Sequence, residues 1–404
     1  MNMYTCFICR YHEIATKGDN RRMFEEKLID NLRYQCQTLE QISGLTFPRV
    51  RGRIYVRRED KAPFTEEQIG QIKNGLSRCS GLENFSPALE CEPEIGQILE
   101  LVRRSAMEQL QPVIDQKGKV KFRIRARRSD KRFPLRSKDI EIAAATEISK
   151  LVPKEQLEVD LTHPDVSVGI EVRDINALIY FQVFPGPGGL PTGSNSPVLA
   201  LLSGGIDSPV ACQMLMNRGC HVDFLTFHSY PYTPMASLEK VQRIAAKLNT
   251  FQKPGTLYAC NLSEIQKQIR DLCTEKFRTV LYRRMMMRIA NMICYRKKLN
   301  AIVTGEAVGQ VASQTVINLA TIDKASDFVM LRPLCGMDKI ETIRRAEKLG
   351  TYDLSIEPQP DSCTVFAPPS PSVAAKLFDI EREEAKLGDL HPLLEKAYNE
   401  MIIT

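Results

Sequence analysis

The apolar run Leu199-Ala200-Leu201-Leu202 stops at Ser203-Gly204-Gly205-Ile206-Asp207-Ser208, and the apolar positions after it, Val210, Ala211, Met214 and Leu215, recur at helical spacing. Small residues therefore sit where a buried strand turns into a helix. Such a turn suits a phosphate, because two glycines let the backbone approach an anion and the open amides and dipole of the new helix favour negative charge. Ser203 and Ser208 add hydroxyl donors. Asp207, an acid beside phosphates, makes chemical sense as a group that holds Mg2+ or positions pyrophosphate. The lysine of G-x-x-x-x-G-K-[ST] is missing, which excludes a Walker A loop. The bland alternative is a glycine turn with chance serines, and six matching positions between strand and helix argue against it.

The second reactive candidate is one of twelve cysteines. Cys6 and Cys9 form a C-x-x-C, but residues three apart on a strand point to opposite faces, so neither a redox pair nor a metal site is expected there. Cys212, Cys220, Cys260 and Cys294 fall in apolar patterned elements and read as packing residues. Cys363 differs, lying in Gln359-Pro360-Asp361-Ser362-Cys363-Thr364-Val365-Phe366-Ala367-Pro368-Pro369, a polar, proline-rich segment that cannot be regular helix. A thiol on such a loop can carry sulfur, since access and a lowered pKa govern its reactivity.

Positive charge is concentrated. Between Lys117 and Lys138 there are eleven Lys or Arg residues against one acid, Asp130. Val120, Phe122, Ile124 and Ala126 alternate with Lys119, Lys121, Arg123, Arg125 and Arg127, the period of a strand with one face in a core and the other cationic. The density continues through Arg128, Lys131, Arg132 and Arg136 and favours nucleic acid over a merely solvated face. Lys17, Arg21 and Arg22 flank Gly18 at a predicted helix start, which suits a phosphate and equally a plain surface.

Elements must hold these groups in place. Thr5–Tyr11 reads as a strand, 20–35 as a helix and Arg53–Arg57 as a strand, a small α+β unit over 1–73. Over 74–185 the pattern gives helices near 93–111 and 139–151, the basic strand, and a hairpin from Val166–Val172 and Leu178–Val183. The run Pro185-Gly186-Pro187-Gly188-Gly189 ends it as a loop. In 186–404, apolar strands at 198–202, 222–227, 256–260 and 301–304 alternate with helices, a doubly wound parallel sheet. Ligands in such sheets lie beyond the carboxyl ends of strands. Thr226-Phe227-His228 and Thr304-Gly305-Glu306 should then border Ser203–Ser208. In the helix holding Tyr282-Arg283-Arg284-Met285-Met286-Met287-Arg288, the methionines read as core filling, and an arginine can reach the phosphates.

The chain has 404 residues and a formal charge of +6, enough for two or three domains. No run of 18 apolar residues exists and the start lacks a signal pattern, so a cytoplasmic protein without a membrane partner is expected. Unpatterned cysteines agree with a reducing compartment.

With Arg10 to Arg22, Ser203 to Ser208 and Asp361 to Thr364 in order on one chain, the sequence resembles the tRNA 4-thiouridine sulfurtransferase family over essentially its whole length. Thr304-Gly305-Glu306, Gly309-Gln310-Val311-Ala312-Ser313-Gln314-Thr315, Arg332-Pro333-Leu334 and Asp338-Lys339 belong to the same likeness. The resemblance implies an α/β multidomain chain: a ferredoxin-like domain (1–73), a THUMP domain (74–185) and a PP-loop domain (186–404). It implies ATP bound by Leu201, Leu202, Ser203, Gly204, Gly205, Asp207, Ser208, Thr226, Phe227, Arg283, Gly305 and Gln314, with Mg2+. The C4 oxygen of a tRNA uridine is then adenylated, and sulfur carried as a persulfide on Cys363 replaces the adenylate. Asp207 and Lys339 assist, the lysine offsetting phosphate charge. The acceptor region of tRNA is gripped by Lys17, Arg21, Arg22, Lys119, Lys121, Arg123, Arg125, Arg127, Arg128, Arg132 and Arg136, chiefly through backbone and shape.

A cysteine desulfurase is the implied persulfide donor, and a homodimer, testable by sedimentation with tRNA, would let one subunit grip the tRNA its partner modifies. Some members carry a rhodanese domain, to which thiazole synthesis for thiamine is tied; 41 residues follow Cys363 in this chain of 404, so the form without it is expected. Cys335 is then the nearest candidate for a resolving thiol, and equally a filler residue. Alternatives are a PP-loop ligase using ammonia, against which Cys363 speaks, and a non-catalytic RNA-binding module, against which the intact loop speaks. A THUMP methyltransferase lacks support, since no second glycine-rich loop is present.

Overall fold

The alternation read over Val120–Ala126 becomes strand geometry in the computed structural model, which describes residues 4–37, 44–50, 52–359 and 365–404. Two compact units divide the chain at Gly189 and Leu190. In the first, the strands are β1 (Cys6–Arg10), β2 (Leu45–Thr46), β3 (Arg49–Val50), β4 (Arg53–Arg58), β5 (Asn84–Cys91), β6 (Val120–Arg128), β7 (Leu157–Val159), β8 (Val166–Val172), β9 (Ala177–Tyr180) and β10 (Phe184–Pro185). They form one sheet ordered β2-β4-β1-β5-β9-β8-β6-β7, with β3 beside β4 and β10 beside β5.

Helices α1 (Arg21–Gln37) and α2 (Glu66–Leu76) bury Leu28, Leu32, Ile72 and Leu76 against Phe7, Cys9 and Ile54. Cys6 lies in a different cluster with Ile8 and Tyr55, so the two thiols do occupy opposite faces. Helices α3 (Ile95–Lys117) and α4 (Ser137–Ser149) pack Ile98, Val102, Leu110, Ile140 and Ile148 on Val120, Phe122 and Ile124. The helix expected near 93–111 runs six residues further as α3, through Pro112. Burial of Leu110 and Ile114 against the sheet outweighs the hydrogen bond that proline removes.

In the second unit, β11 (Val198–Leu201), β12 (Val222–His228), β13 (Leu257–Asn261), β14 (Ala301–Val303) and β15 (Val329–Leu331) are mutually parallel in the order β15-β14-β11-β12-β13, and β16 (Ile402–Ile403) closes the β13 edge antiparallel. Helices α5 (Asp207–Asn217), α6 (Ala236–Leu248) and α10 (Lys339–Leu349) contribute to the core on one face, and α7 (Ser263–Leu272), α8 (Arg278–Lys297), α12 (Leu377–Ala385) and α13 (His391–Asn399) to the core on the other. Two short helices, α9 (Val316–Asp323) and α11 (Tyr352–Ile356), complete the unit. Coverage on both faces explains why β11 is apolar at every position rather than alternating. Met285, Met286 and Met287 are buried in α8, as their pattern implied. No helix among the described residues is long and apolar enough to cross a membrane.

Candidate functional site

β11 ends at Leu201 and α5 begins at Asp207, leaving Leu202–Ile206 as the turn that the sequence placed there. The two serines close it on itself. The Ser203 amide donates to Ser208 Oγ at 2.9 Å, the two hydroxyl oxygens lie 3.1 Å apart, and the Gly205 amide donates to Ser203 Oγ at 3.3 Å. Ile206 precedes the helix and has no side-chain acceptor to cap it, so the first-turn amides and helix dipole remain available to an anion.

The turn forms one wall of a cavity of about 460 Å³ at the carboxyl edge of the sheet. Leu201, Leu202, Ser203, Gly204, Gly205, Asp207, Ser208, Thr226, Phe227, Arg283, Gly305 and Gln314 all line it. These residues come from the ends of β11 and β12, from the turn after β11 and the start of α5, from α8 and from the segment after β14. Gly305 is there because nothing larger fits: a Cβ would lie 2.6 Å from the Ser208 nitrogen and 2.8 Å from the Asp207 carbonyl carbon.

Asp207 is held from two sides. Lys339, the first residue of α10, donates from Nζ to Oδ1 at 2.6 Å, and Gln310 donates from Nε2 to Oδ2 at 2.9 Å. Asp338 caps α10 by accepting from the Ile340 amide at 2.8 Å, which fixes the start of the helix that presents Lys339. Deeper in, Glu306 is 3 % exposed and lies between two guanidiniums. It pairs with Arg283, accepts from Arg332 Nε at 2.8 Å and from Thr304 Oγ1 at 2.8 Å, while Arg332 also pairs with Asp323 at 3.0 Å. Burial acts to raise the Glu306 carboxyl, but Arg283 and Arg332 outweigh it and hold the group below the usual carboxylate range.

His228 lines the cavity too, and burial lowers its pKa, which leaves a neutral imidazole at pH 7. Gln314 Oε1 is shielded from solvent and accepts no hydrogen bond among the described residues. Sequence reasoning missed Lys240, Thr233, Ser237, Ser355, Glu357 and Gln359, which also line the cavity. Lys240 was detectable in principle: it stands four residues before Ile244 of the buried α6 face, so a charge enters an apolar stripe.

Cys363 lies outside the described residues, as do Asp361, Ser362 and Thr364. Cys212, Cys220, Cys260 and Cys294 are buried packing residues, and burial pushes the thiols of Cys260 and Cys294 up to about 12, too high for nucleophilic work at neutral pH. Cys335 is exposed.

The basic strand β6 has the anticipated two faces, with Val120, Phe122, Ile124 and Ala126 buried and Arg125 and Arg127 exposed. Acids distant in sequence neutralise part of it. Lys119 pairs with Glu158 at 2.7 Å and Lys121 with Asp160 at 3.2 Å, while Arg123 donates to Ser167 Oγ at 3.0 Å. Arg128 donates to the carbonyls of Phe133 and Leu135, and Arg132 pairs with Asp130. Arg136 is exposed at the start of α4. In the first segment, Lys17 pairs with Glu13, Arg21 with Glu25 and Arg22 with Glu26. Arg125 and Arg127 form no ion pair among the described residues.

A two-serine glycine turn between the central strand of a parallel sheet and its helix, opening on a cavity lined by Arg283, Gly305 and Gln314, defines a PP-loop protein. Family models agree along the chain: the ThiI ferredoxin-like domain matches residues 6–86, the THUMP domain 95–182 and "Thiamine biosynthesis protein (ThiI)" 193–388. The chain is 38 % identical over 405 residues to a protein of Moorella thermoacetica named "Probable tRNA sulfurtransferase", spanning 100 % of this chain and 98 % of that one. A protein of the same name from Alkaliphilus oremlandii is 37 % identical over 98 % of this chain and 97 % of its own. The crystal structure of a 4-thiouridine synthetase in complex with RNA and ATP superposes with a TM-score of 0.84 at 32 % identity, covering 99 % of both chains. The chain therefore belongs to the tRNA sulfurtransferase family.

Proposed function

We propose that this enzyme uses ATP to activate the C4 oxygen of a uridine in tRNA and replaces it with sulfur delivered by Cys363, giving 4-thiouridine. The observation that carries the reading is the convergence of Ser203–Ser208, Arg283, Gly305 and Gln314 on one cavity, in a chain similar over 99 % of its length to a 4-thiouridine synthetase whose structure holds both ATP and RNA. ATP is a substrate here, and the residues fit it. The glycine turn and the α5 amides suit a triphosphate, and the solitary Oε1 of Gln314 suits a donor such as an exocyclic amine. Mg2+ fits more sparsely: Asp207 is the carboxylate that would hold it, since this ion commonly takes one or two carboxylates plus substrate phosphates, and when bound it supplies charge neutralisation. No group of three or more metal-ligating side chains exists among the described residues.

A carbonyl oxygen leaves poorly until it is adenylated, and a persulfide is a strong nucleophile that a cysteine can hold covalently. Lys339, oriented by Asp207, offsets the charge that develops on the phosphates during adenylation. The buried carboxylate of Glu306 aims Arg283 into the cavity. Gln359 lines the cavity and precedes Cys363 by four positions, which supports delivery of sulfur to the same cleft. The persulfide comes from a cysteine desulfurase, and the working assembly is a homodimer. The cationic face of β6 and the Lys17–Arg22 segment hold the tRNA backbone.

The test is mass spectrometry of tRNA nucleosides after incubation with protein, ATP, Mg2+ and a persulfide donor. The native enzyme should form 4-thiouridine. Cys363→Ser should form none while still releasing pyrophosphate in the presence of tRNA, and full turnover by that variant refutes sulfur transfer through Cys363.

A further inference from the structure

The phosphate loop has no lysine of its own, yet a buried lysine from another element lies against it. Lys240 of α6 is 4 % exposed and lines the nucleotide cavity. A Cβ on Gly204 would sit 3.3 Å from Lys240 Cδ and 3.5 Å from Nζ, so the side chain runs directly against the first glycine of the loop. Its ammonium donates to two main-chain carbonyls across the cavity, Ser355 O at 2.8 Å and Glu357 O at 2.7 Å. These are carbonyls at and just beyond the end of α11, where a helix leaves acceptors for outside donors.

The same segment is tied down twice more. Ser355 Oγ donates to the Gly205 carbonyl at 3.3 Å, and Arg243, one turn beyond Lys240 on α6, donates from Nη1 to Glu357 Oε1 at 2.9 Å. Ser355, Glu357, Pro358 and Gln359 form a wall of the cavity. Of the fastenings, the Lys240 pair is the one that is buried, charge-assisted and anchored beside the phosphate loop itself; the Arg243 pair lies at the surface, where solvent and salt weaken it.

We infer that Lys240 is a positioning residue for the transfer step: from α6 it clasps the Ser355–Gln359 wall in place beside the phosphate loop and so keeps water from the activated uridine until sulfur arrives. This rests on the sulfur-transfer reading above. The side reaction it suppresses is hydrolysis, in which a water oxygen bonds to C4, AMP departs, a proton is released and the original uridine returns. An open wall thus wastes ATP as AMP and pyrophosphate without making thiouridine.

Lys240→Met keeps the stem and removes the charged head, and Lys240→Arg keeps a charge of different shape. With tRNA, ATP, Mg2+ and a persulfide donor, Lys240→Met should lower the 4-thiouridine formed per AMP released at least fivefold, with KM for ATP within threefold of native. Backbone amide exchange over 352–359 should rise at least tenfold while exchange in β11 and β14, core strands of the same unit, stays native, which shows that the variant is folded. Lys240→Arg should recover at least half of the coupling ratio. Unchanged exchange over 352–359, or an unchanged coupling ratio, overturns the proposal. A KM rise above tenfold at native coupling overturns it too, making Lys240 a phosphate ligand instead. If the native protein forms no 4-thiouridine, the sulfur-transfer reading fails, whereas the exchange measurement still decides the clasp.

Discussion

Glu306 shows how one carboxylate sets two arginines at a binding cavity. An ionised group this buried is costly unless it is paired and hydrogen-bonded, and Glu306 meets both conditions through Arg283, Arg332 and Thr304. Removing its charge leaves two guanidiniums short of a partner in a dry site, where breaking a buried pair costs about 3–5 kcal/mol. Because Arg332 retains Asp323, Glu306→Gln should fall at the lower end, about 3 kcal/mol by denaturant unfolding, with a raised KM for ATP as Arg283 loses its aim. The pH dependence has a definite sign. The folded pKa is depressed, so the stabilisation is fully present above the unfolded value of about 4.3 and is lost as pH falls through the folded value. The variant should therefore lose less stability than the native protein on acidification below about pH 4.3. Arg283 and Thr304-Gly305-Glu306 were all legible as site residues in the sequence. That Glu306 serves Arg283 was not, because the pairing joins α8 to the end of β14 across 23 positions, and no local pattern encodes that distance.

At the scale of elements, the site depends on how closely the end of β14 meets the start of α5. Strands β11 and β14 are apolar throughout and covered on both faces, so the pattern that betrays them in the sequence is an unbroken run rather than alternation. That pattern made β11 and β14 readable, whereas β15, an edge strand that is only partly buried, and β16, of two exposed residues, carry no such run. Helix α3 runs past the expected end near 111 and through Pro112, because packing outweighs that local helix-breaking signal. Gly305 makes the contact quantitative. An added methyl at 2.6 Å from the Ser208 nitrogen meets backbone, which cannot swing aside as a side chain would. Gly305→Ala should cost about 1–3 kcal/mol of stability, the usual range for overpacking. More tellingly, it should displace the first turn of α5 and weaken ATP binding at least tenfold by calorimetry, since the amides proposed to hold the phosphates sit in that turn. Native ATP affinity in a folded variant would mean that the loop does not hold the phosphates.

Across the whole molecule, formal charge alone predicts little about nucleic acid: +6 over 404 residues is small, and its distribution decides. The sequence showed the cluster between Lys117 and Lys138 but not its neutralisation, because Glu158, Asp160 and Asp165 reach it only once β7 and β8 lie parallel to β6. What remains is a graded surface, in which Lys119 and Lys121 are paired while Arg125 and Arg127 stand exposed on the same face. If that face holds RNA phosphates, each released counterion leaves a mark on the salt dependence, about 0.7–0.9 in the slope of log K against log salt per contact. Arg125→Ala combined with Arg127→Ala should then reduce that slope by about 1.4–1.8 in tRNA-binding titrations. The effect should be similar for different tRNAs, because backbone contacts carry no sequence information. The matched pair Lys119→Ala and Lys121→Ala should change the slope by less, as those cations already have carboxylate partners and must give them up to bind RNA. ATP affinity measured without tRNA should be native in both double variants. An unchanged slope in the arginine variant would reduce β6 to a solvated face and move the search for the RNA grip to Lys17, Arg21 and Arg22.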